Sequence, residues 1–147
     1  MAEFEDMTQA IIDVTKPAFE GIEDYTPKEV GAMGETLAAR FLKDLGYELM
    51  DHNWETPFGE VDIIAKDDDG IIFVEVKSRR LLGCPHDEAP EVAVDKDKFT
   101  RYAKMAEFFK MTREEVESIR FDVIGIAFLS NRIAHIAHLL GGYWWDE

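Results

Sequence analysis

Two runs of β-branched and apolar residues, Gly59-Glu60-Val61-Asp62-Ile63-Ile64-Ala65 and Ile71-Ile72-Phe73-Val74-Glu75-Val76-Lys77, flank the tetrapeptide Asp67-Asp68-Asp69-Gly70. Strand formers on either side of an Asp/Gly turn read as a β-hairpin. Symmetric pairing about the turn matches Lys66 with Ile71, Ile64 with Phe73 and Asp62 with Glu75. Side chains alternate along a strand, so Val61, Ile63, Ala65, Ile72, Val74 and Val76 are expected on one apolar face and Asp62, Glu75 and Lys77 on the other. Opposed residues on an antiparallel pair lie about 5 Å apart, and like charges there repel. Two compensations fit: the ammonium of Lys77, or a hard divalent cation such as Mg²⁺ or Mn²⁺ that takes oxygen ligands. A plain exposed sheet face with ordinary charges is the bland alternative, and a one-residue register slip would separate the acids.

The chain has 147 residues, enough for one well-packed domain. No stretch approaches the roughly 18 apolar residues of a spanning helix, and the acidic start lacks the basic and apolar regions of a signal peptide. The lone Cys84 has no internal disulfide partner, which fits a reducing compartment. A cytoplasmic protein without a membrane segment is expected. The formal net charge of −15 opposes a protein that coats nucleic acid nonspecifically, since phosphate contacts need clustered Lys and Arg. The distribution is uneven: residues 1–70 hold 18 acids and 5 bases, and residues 71–120 hold 10 of each. The bases therefore crowd just after the acidic pair.

Residues 1–25 carry seven acids and one base, with Phe4, Met7, Ile11 and Val14 at helical spacing before Pro17; they read as a short amphipathic acidic extension. The domain proper, 26–147, opens with a capping box, Thr26, Pro27 and Glu29, and a helix whose stripe of Val30, Met33, Leu37, Phe41 and Leu45 ends at Gly46. A strand near Tyr47 to Trp54 precedes the hairpin. A second helix spans roughly Val94 to Lys110, with Phe99, Tyr102, Ala106 and Phe109 as its apolar face. A shorter helix capped by Thr112 and strands from Arg120 to Leu129 and Arg132 to His138 follow. The order helix, three strands, helix, two strands predicts an α/β domain with a mixed sheet of about five strands flanked by helices.

Gly34-Glu35, Asn53-Trp54, Gly59-Glu60-Val61-Asp62, Phe73-Val74-Glu75-Val76-Lys77-Ser78-Arg79, Lys98 and Phe121-Asp122-Val123 fall in the order found in the YraN family of predicted endonucleases, which this chain resembles over about residues 26 to 140. That family is similar to the PD-(D/E)xK nucleases, with a restriction-endonuclease-like core related to archaeal Holliday junction resolvases. The resemblance implies that Asp62 and Glu75 bind a divalent metal, Mg²⁺ or Mn²⁺, that Lys77 positions or activates the attacking water, and that Glu35 adds an acid beside the metal. It implies DNA, branched forms included, as the substrate, with Lys98 on the helix that holds the scissile phosphate or the water. A metal held by carboxylates polarises a phosphate and acidifies bound water, and an ammonium stabilises the developing negative charge. Two positions depart from the pattern. Glu55 stands where the family commonly has an arginine, and Phe99 where it often has glutamine.

Arg79 shares the face of Lys77 by strand alternation, and with Arg80 it is a candidate for phosphate contact beside plain solvation. Tyr143-Trp144-Trp145 offers an aromatic platform for unpaired bases or packing for an edge or a partner. His135 and His138, three apart on a strand, are poor joint metal ligands. Asp67-Asp68-Asp69-Gly70 lacks the alternating acids and the twelfth-position Glu of a calcium loop. His52 and His86 have no partner pattern. Three functions follow: a metal-dependent nuclease acting on DNA, a catalytically weak nucleic-acid-binding accessory module, and an interaction protein engaging a basic partner or a second copy of itself.

Overall fold

The computed structural model describes residues 6–13, 20–81, 96–113 and 118–141. Cys84, His86, the segment after Arg113 expected to be a short helix, and Tyr143-Trp144-Trp145 lie outside them.

Thr26 starts the first helix as its sequence requires. Its side chain accepts from the Glu29 N–H at 3.1 Å while Glu29 Oε1 accepts from the Thr26 N–H at 2.8 Å, and Pro27 sits at the first position. Helix α1 runs Pro27–Asp44, and Gly46, at φ 100°, turns the chain into strand β2, Glu48–Thr56. Strands β3, Gly59–Asp67, and β4, Gly70–Arg80, form the expected hairpin, closed by Asp67 Oδ1 accepting from the N–H groups of Asp69 and Gly70. Helix α2, Lys96–Thr112, continues through Thr112, whose hydroxyl donates to the Phe109 carbonyl. Strands β5, Ile119–Phe128, and β6, Ile133–Leu140, complete the core.

The expected five strands and two helices are present in the expected order. A sixth strand, β1, comes from the acidic extension, whose spacing predicted a helix: Asp6–Asp13 pairs antiparallel with β6 from Asp6 opposite Leu140 to Asp13 opposite Ile133. The sheet order is β1-β6-β5-β4-β3-β2. Among the described residues only the β4–β5 pairing is parallel, and α2 lies in the crossover that a parallel neighbour demands.

Two cores sandwich this sheet. On one face Val30, Leu37, Ala38 and Leu42 of α1 pack on Ile63, Ile72, Val74, Ile124, Ile126 and Phe128. On the other Tyr102, Met105, Ala106 and Phe109 of α2 cover Val61, Ile64, Ile71, Phe73 and Phe121. The expectation of one apolar and one polar hairpin face is thereby corrected. Ile71 and Phe73 share the strand face of Glu75 and Lys77, so that face is core near the turn and polar only toward the far end of β4.

Among the described residues no helix is long and apolar enough to cross a membrane.

Candidate metal and phosphate site

The hairpin register is the expected one from Asp67 opposite Gly70 to Ile63 opposite Val74, and there the β3–β4 ladder stops. Beyond it the Asp62 carboxylate substitutes for a missing backbone partner: Oδ2 accepts from the Val76 N–H at 2.8 Å. β3 stays paired with β2 on its other side, with Val61 opposite Trp54 and Glu60 opposite Glu55. Asn53, between Trp54 and His52, which faces Ile63, takes a left-handed φ of 51°, a conformation Asn tolerates better than most residues. Its side chain hydrogen-bonds Glu35.

Glu35 reaches this point because α1 lies close on β4. A Cβ at Gly34 would fall 1.7 Å from Ser78 Oγ and 2.7 Å from Ser78 Cβ, a contact only glycine allows. The α1 acid thus joins the β3 acid across the gap between β3 and β4. Burial first, and then the Glu60 charge, raise the Glu35 pKa, against the opposing pull of Asn53 and His52. Burial also pushes Asp62 up to about 6, helped by the charges of Glu35, Glu75 and Glu60 and resisted by the Val76 N–H. Three of the four catalytic candidates, Glu35, Asp62 and Glu75, therefore share one electrostatic neighbourhood, with Glu60 as an unforeseen fourth acid.

Glu75 faces α2. Its Oε1 pairs with Lys98 Nζ at 2.5 Å, while its Oε2 is buried without a hydrogen-bond partner. Lys98, expected at the substrate, is thus drawn to Glu75, expected at the metal. Lys77, two residues along the same face, has no hydrogen bond or ion pair among the described residues. Arg79 follows on that face with Nε and Nη2 buried and unpartnered. Arg80 points the other way. Its Nη1 donates to the carbonyls of Ile22, Glu23 and Tyr25, tying β4 to the 3-10 turn Ile22–Asp24 on the α1 side, away from Lys77.

These donors suit a hard divalent cation in kind. Asp62 carries a charge its surroundings disfavour, Glu75 has a stranded buried oxygen, and both are carboxylates. Among the described residues no three His, Cys, Asp or Glu side chains converge closely enough to hold an ion as they stand. The Lys98 ammonium neutralises one Glu75 oxygen.

A second polar centre escaped the sequence reading. Asp122, fully buried, accepts from Arg120 Nε at 2.8 Å and Nη2 at 2.9 Å and from the Gly141 N–H at 2.9 Å, and its Oδ2 lies 2.8 Å from His138 Nε2. Arg120 Nη2 also donates to the Tyr47 hydroxyl at 3.1 Å. Burial would raise the Asp122 pKa, but the hydrogen bonds from His138 and Arg120 lower it below the usual carboxylate value. His138, weighed only as a metal ligand, is instead a buried partner of this aspartate, edge-on to Phe41 and Tyr47.

Comparison with known proteins gives the lineage. A profile described as "Uncharacterised protein family UPF0102" matches residues 34–126. A UPF0102 protein of Syntrophus aciditrophicus is 41% identical over 98 residues, covering 66% of this chain and 75% of its own. One from Dictyoglomus thermophilum is 42% identical over 67% of this chain and 82% of its own, and one from Syntrophomonas wolfei is 35% identical over 79% and 98%. Among solved structures, Pyrococcus furiosus SfsA in complex with Ca²⁺ is similar at a TM-score of 0.28 and 15% identity, over 76% of this chain and 60% of that one. With the profile spanning Glu35, Asp62, Glu75, Lys77 and Asp122, and relatives matched over most of their length, the chain belongs to the uncharacterised UPF0102 family, the YraN family.

Proposed function

We propose that this protein is a metal-dependent phosphodiester hydrolase acting on DNA. The observation that carries the reading is the gap between β3 and β4, where Asp62, its pKa raised to about 6, feels the charges of Glu35 and of Glu75, whose Oε2 is buried without a hydrogen-bond partner. Buried like charges cost stability, and a fold that gathers them gains by offering them to a cation. Asp62 and Glu75 would hold Mg²⁺ or Mn²⁺, which supplies Lewis acidity toward a phosphate and a more acidic bound water. Glu35, fixed by Asn53, orients or accepts a proton from the attacking water. Lys77 stabilises negative charge gathering on the phosphate, and Arg79 offers two unpaired nitrogens, Nε and Nη2, to a phosphate oxygen. Branched DNA is the expected form.

A second reading, a DNA-binding accessory module with little or no catalysis, is favoured by the Lys98–Glu75 ion pair and by Glu55 standing opposite Glu60 beside the site.

Cleavage of branched, flapped and single-stranded DNA with Mg²⁺ or Mn²⁺ separates these. Native protein should cut, and Asp62→Asn and Lys77→Ala should each lose at least about a hundredfold in rate, the scale of a lost general base or charge stabiliser. Equal behaviour of all three proteins would end the catalytic reading. DNA binding in Ca²⁺ without turnover in any metal would favour the accessory one.

A further inference from the structure

The turn between β2 and β3 carries a large ring into solvent on a stiff mount. Thr56 Oγ1 donates to the Gly59 carbonyl at 2.8 Å and accepts from the Phe58 N–H at 3.0 Å, so the turn is closed around Pro57 and Phe58. Phe58 remains 38% exposed. Behind it the aromatic run continues inward: Phe58 meets Phe108 at 6.4 Å, Phe108 meets Trp54 at 6.0 Å, and Trp54 meets Phe73 and Phe109 of the core at 5.8 and 5.4 Å. Lys104 Nζ sits 5.8 Å from the Phe58 ring centre.

Helix α2 joins this platform to the candidate site. It carries five bases against two acids in a chain of net charge −15. Lys98 is at Glu75, Arg101 is exposed one turn on, and exposed Lys104 is at Phe58. From Lys98 to Lys104 the helix rises about 9 Å, roughly the length of two to three stacked nucleotides at about 3.4 Å each.

We propose that Phe58, with Arg101 and Lys104, is a binding site for an unpaired stretch of nucleic acid, one base stacking on the ring and the adjoining phosphates following α2 toward Glu75. The inference rests on the DNA-acting reading and narrows it to substrates with a single-stranded part next to the scissile phosphate. Stacking tolerates any base because every base has a π-face, and cations alongside track the backbone. Glu55 and Glu60 face each other one pair in from the turn, an arrangement that leaves the α2 side as the path for a polyanion.

Fluorescence anisotropy in Ca²⁺, with full-length protein and labelled oligothymidine, a flap and a blunt duplex, tests this. Native protein should bind the single strand and the flap at least about fivefold more tightly than the duplex. Phe58→Ala should weaken single-strand binding roughly 5- to 50-fold with little change for duplex, and Phe58→Trp should restore it. Lys104→Gln, an exposed change, should lower the salt slope by about 0.7 on single strands. Equal affinity for all three DNAs, or Phe58→Ala and Lys104→Gln binding as native, would overturn this site while leaving the DNA-acting reading standing. No binding to any of them would overturn both. A change of oligomeric state in Phe58→Ala, with DNA binding as native, would assign the platform to a protein contact and overturn the site.

Discussion

Asp62 occupies a place where three demands meet. It caps the Val76 N–H left over where β3 parts from β4, it is largely buried, and it faces Glu35, Glu75 and Glu60. The folded protein holds the Asp62 proton up to about pH 6, whereas the unfolded chain releases it near pH 4. Between those values the folded state binds more protons, so stability falls as pH rises through the window and the deficit persists above it. Asp62→Asn should therefore stabilise the metal-free protein at pH 7.5 by up to about 3 kcal/mol and show no gain at pH 3.5, as urea denaturation at both pH values will show. Lys98 makes the complementary prediction. It competes for Glu75, so Lys98→Met should tighten Mn²⁺ binding by calorimetry up to about fivefold, the worth of a partly exposed ion pair; weaker binding would make Lys98 a helper of the metal. The hairpin and its register from Asp67 to Ile63 were legible in the sequence because turn and alternation are local, but the expected pairing of Asp62 with Glu75 does not form, since the ladder ends at Ile63 and Val74. The partnership of Glu75 with Lys98 was not legible, since it depends on how α2 returns across the sheet.

Elements carry the next layer. Helix α1 delivers Glu35 only because Gly34 lets it approach Ser78, and that approach sets the sign of a substitution. Ala at an interior helical position favours the helix by about 1 kcal/mol over Gly. Here the new methyl meets Ser78 Cβ as well as its hydroxyl, and overpacking costs about 1 to 3 kcal/mol or more. Gly34→Ala should destabilise the protein, lower its urea midpoint and weaken Mn²⁺ binding as Glu35 recedes, and adding Ser78→Gly should restore both. The helix itself was readable from its capping box and stripe, and the hairpin from its turn. Strand β1 was misread because Phe4, Met7, Ile11 and Val14 do hold helical spacing, while the open edge of β6 that recruits Asp6–Asp13 lies more than a hundred residues away in sequence. The hairpin faces were misread for a related reason: with α2 covering the second face, Ile64, Ile71 and Phe73 are as buried as their neighbours.

At the scale of the whole molecule, function and stability are placed apart. The Asp62 region is electrostatically strained, whereas the Asp122 centre is satisfied on every side by Arg120, His138 and Gly141. Phe121-Asp122-Val123 could be read as a strand and as a family landmark, but nothing local names partners at Tyr47 and Gly141. That wide spacing in sequence has a consequence for folding kinetics. The knot closes only after β2, β5 and β6 are in register, and contacts between segments so distant form after the loop-closure entropy has been met. Asp122 should then belong to the late steps of folding. Asp122→Asn should lose about 3 to 5 kcal/mol, as breaking a buried charge pair does, with stopped-flow traces showing nearly all of it as faster unfolding and little as slower refolding. The knot would be a lock on the finished fold, its strength appearing as residence time in the native state.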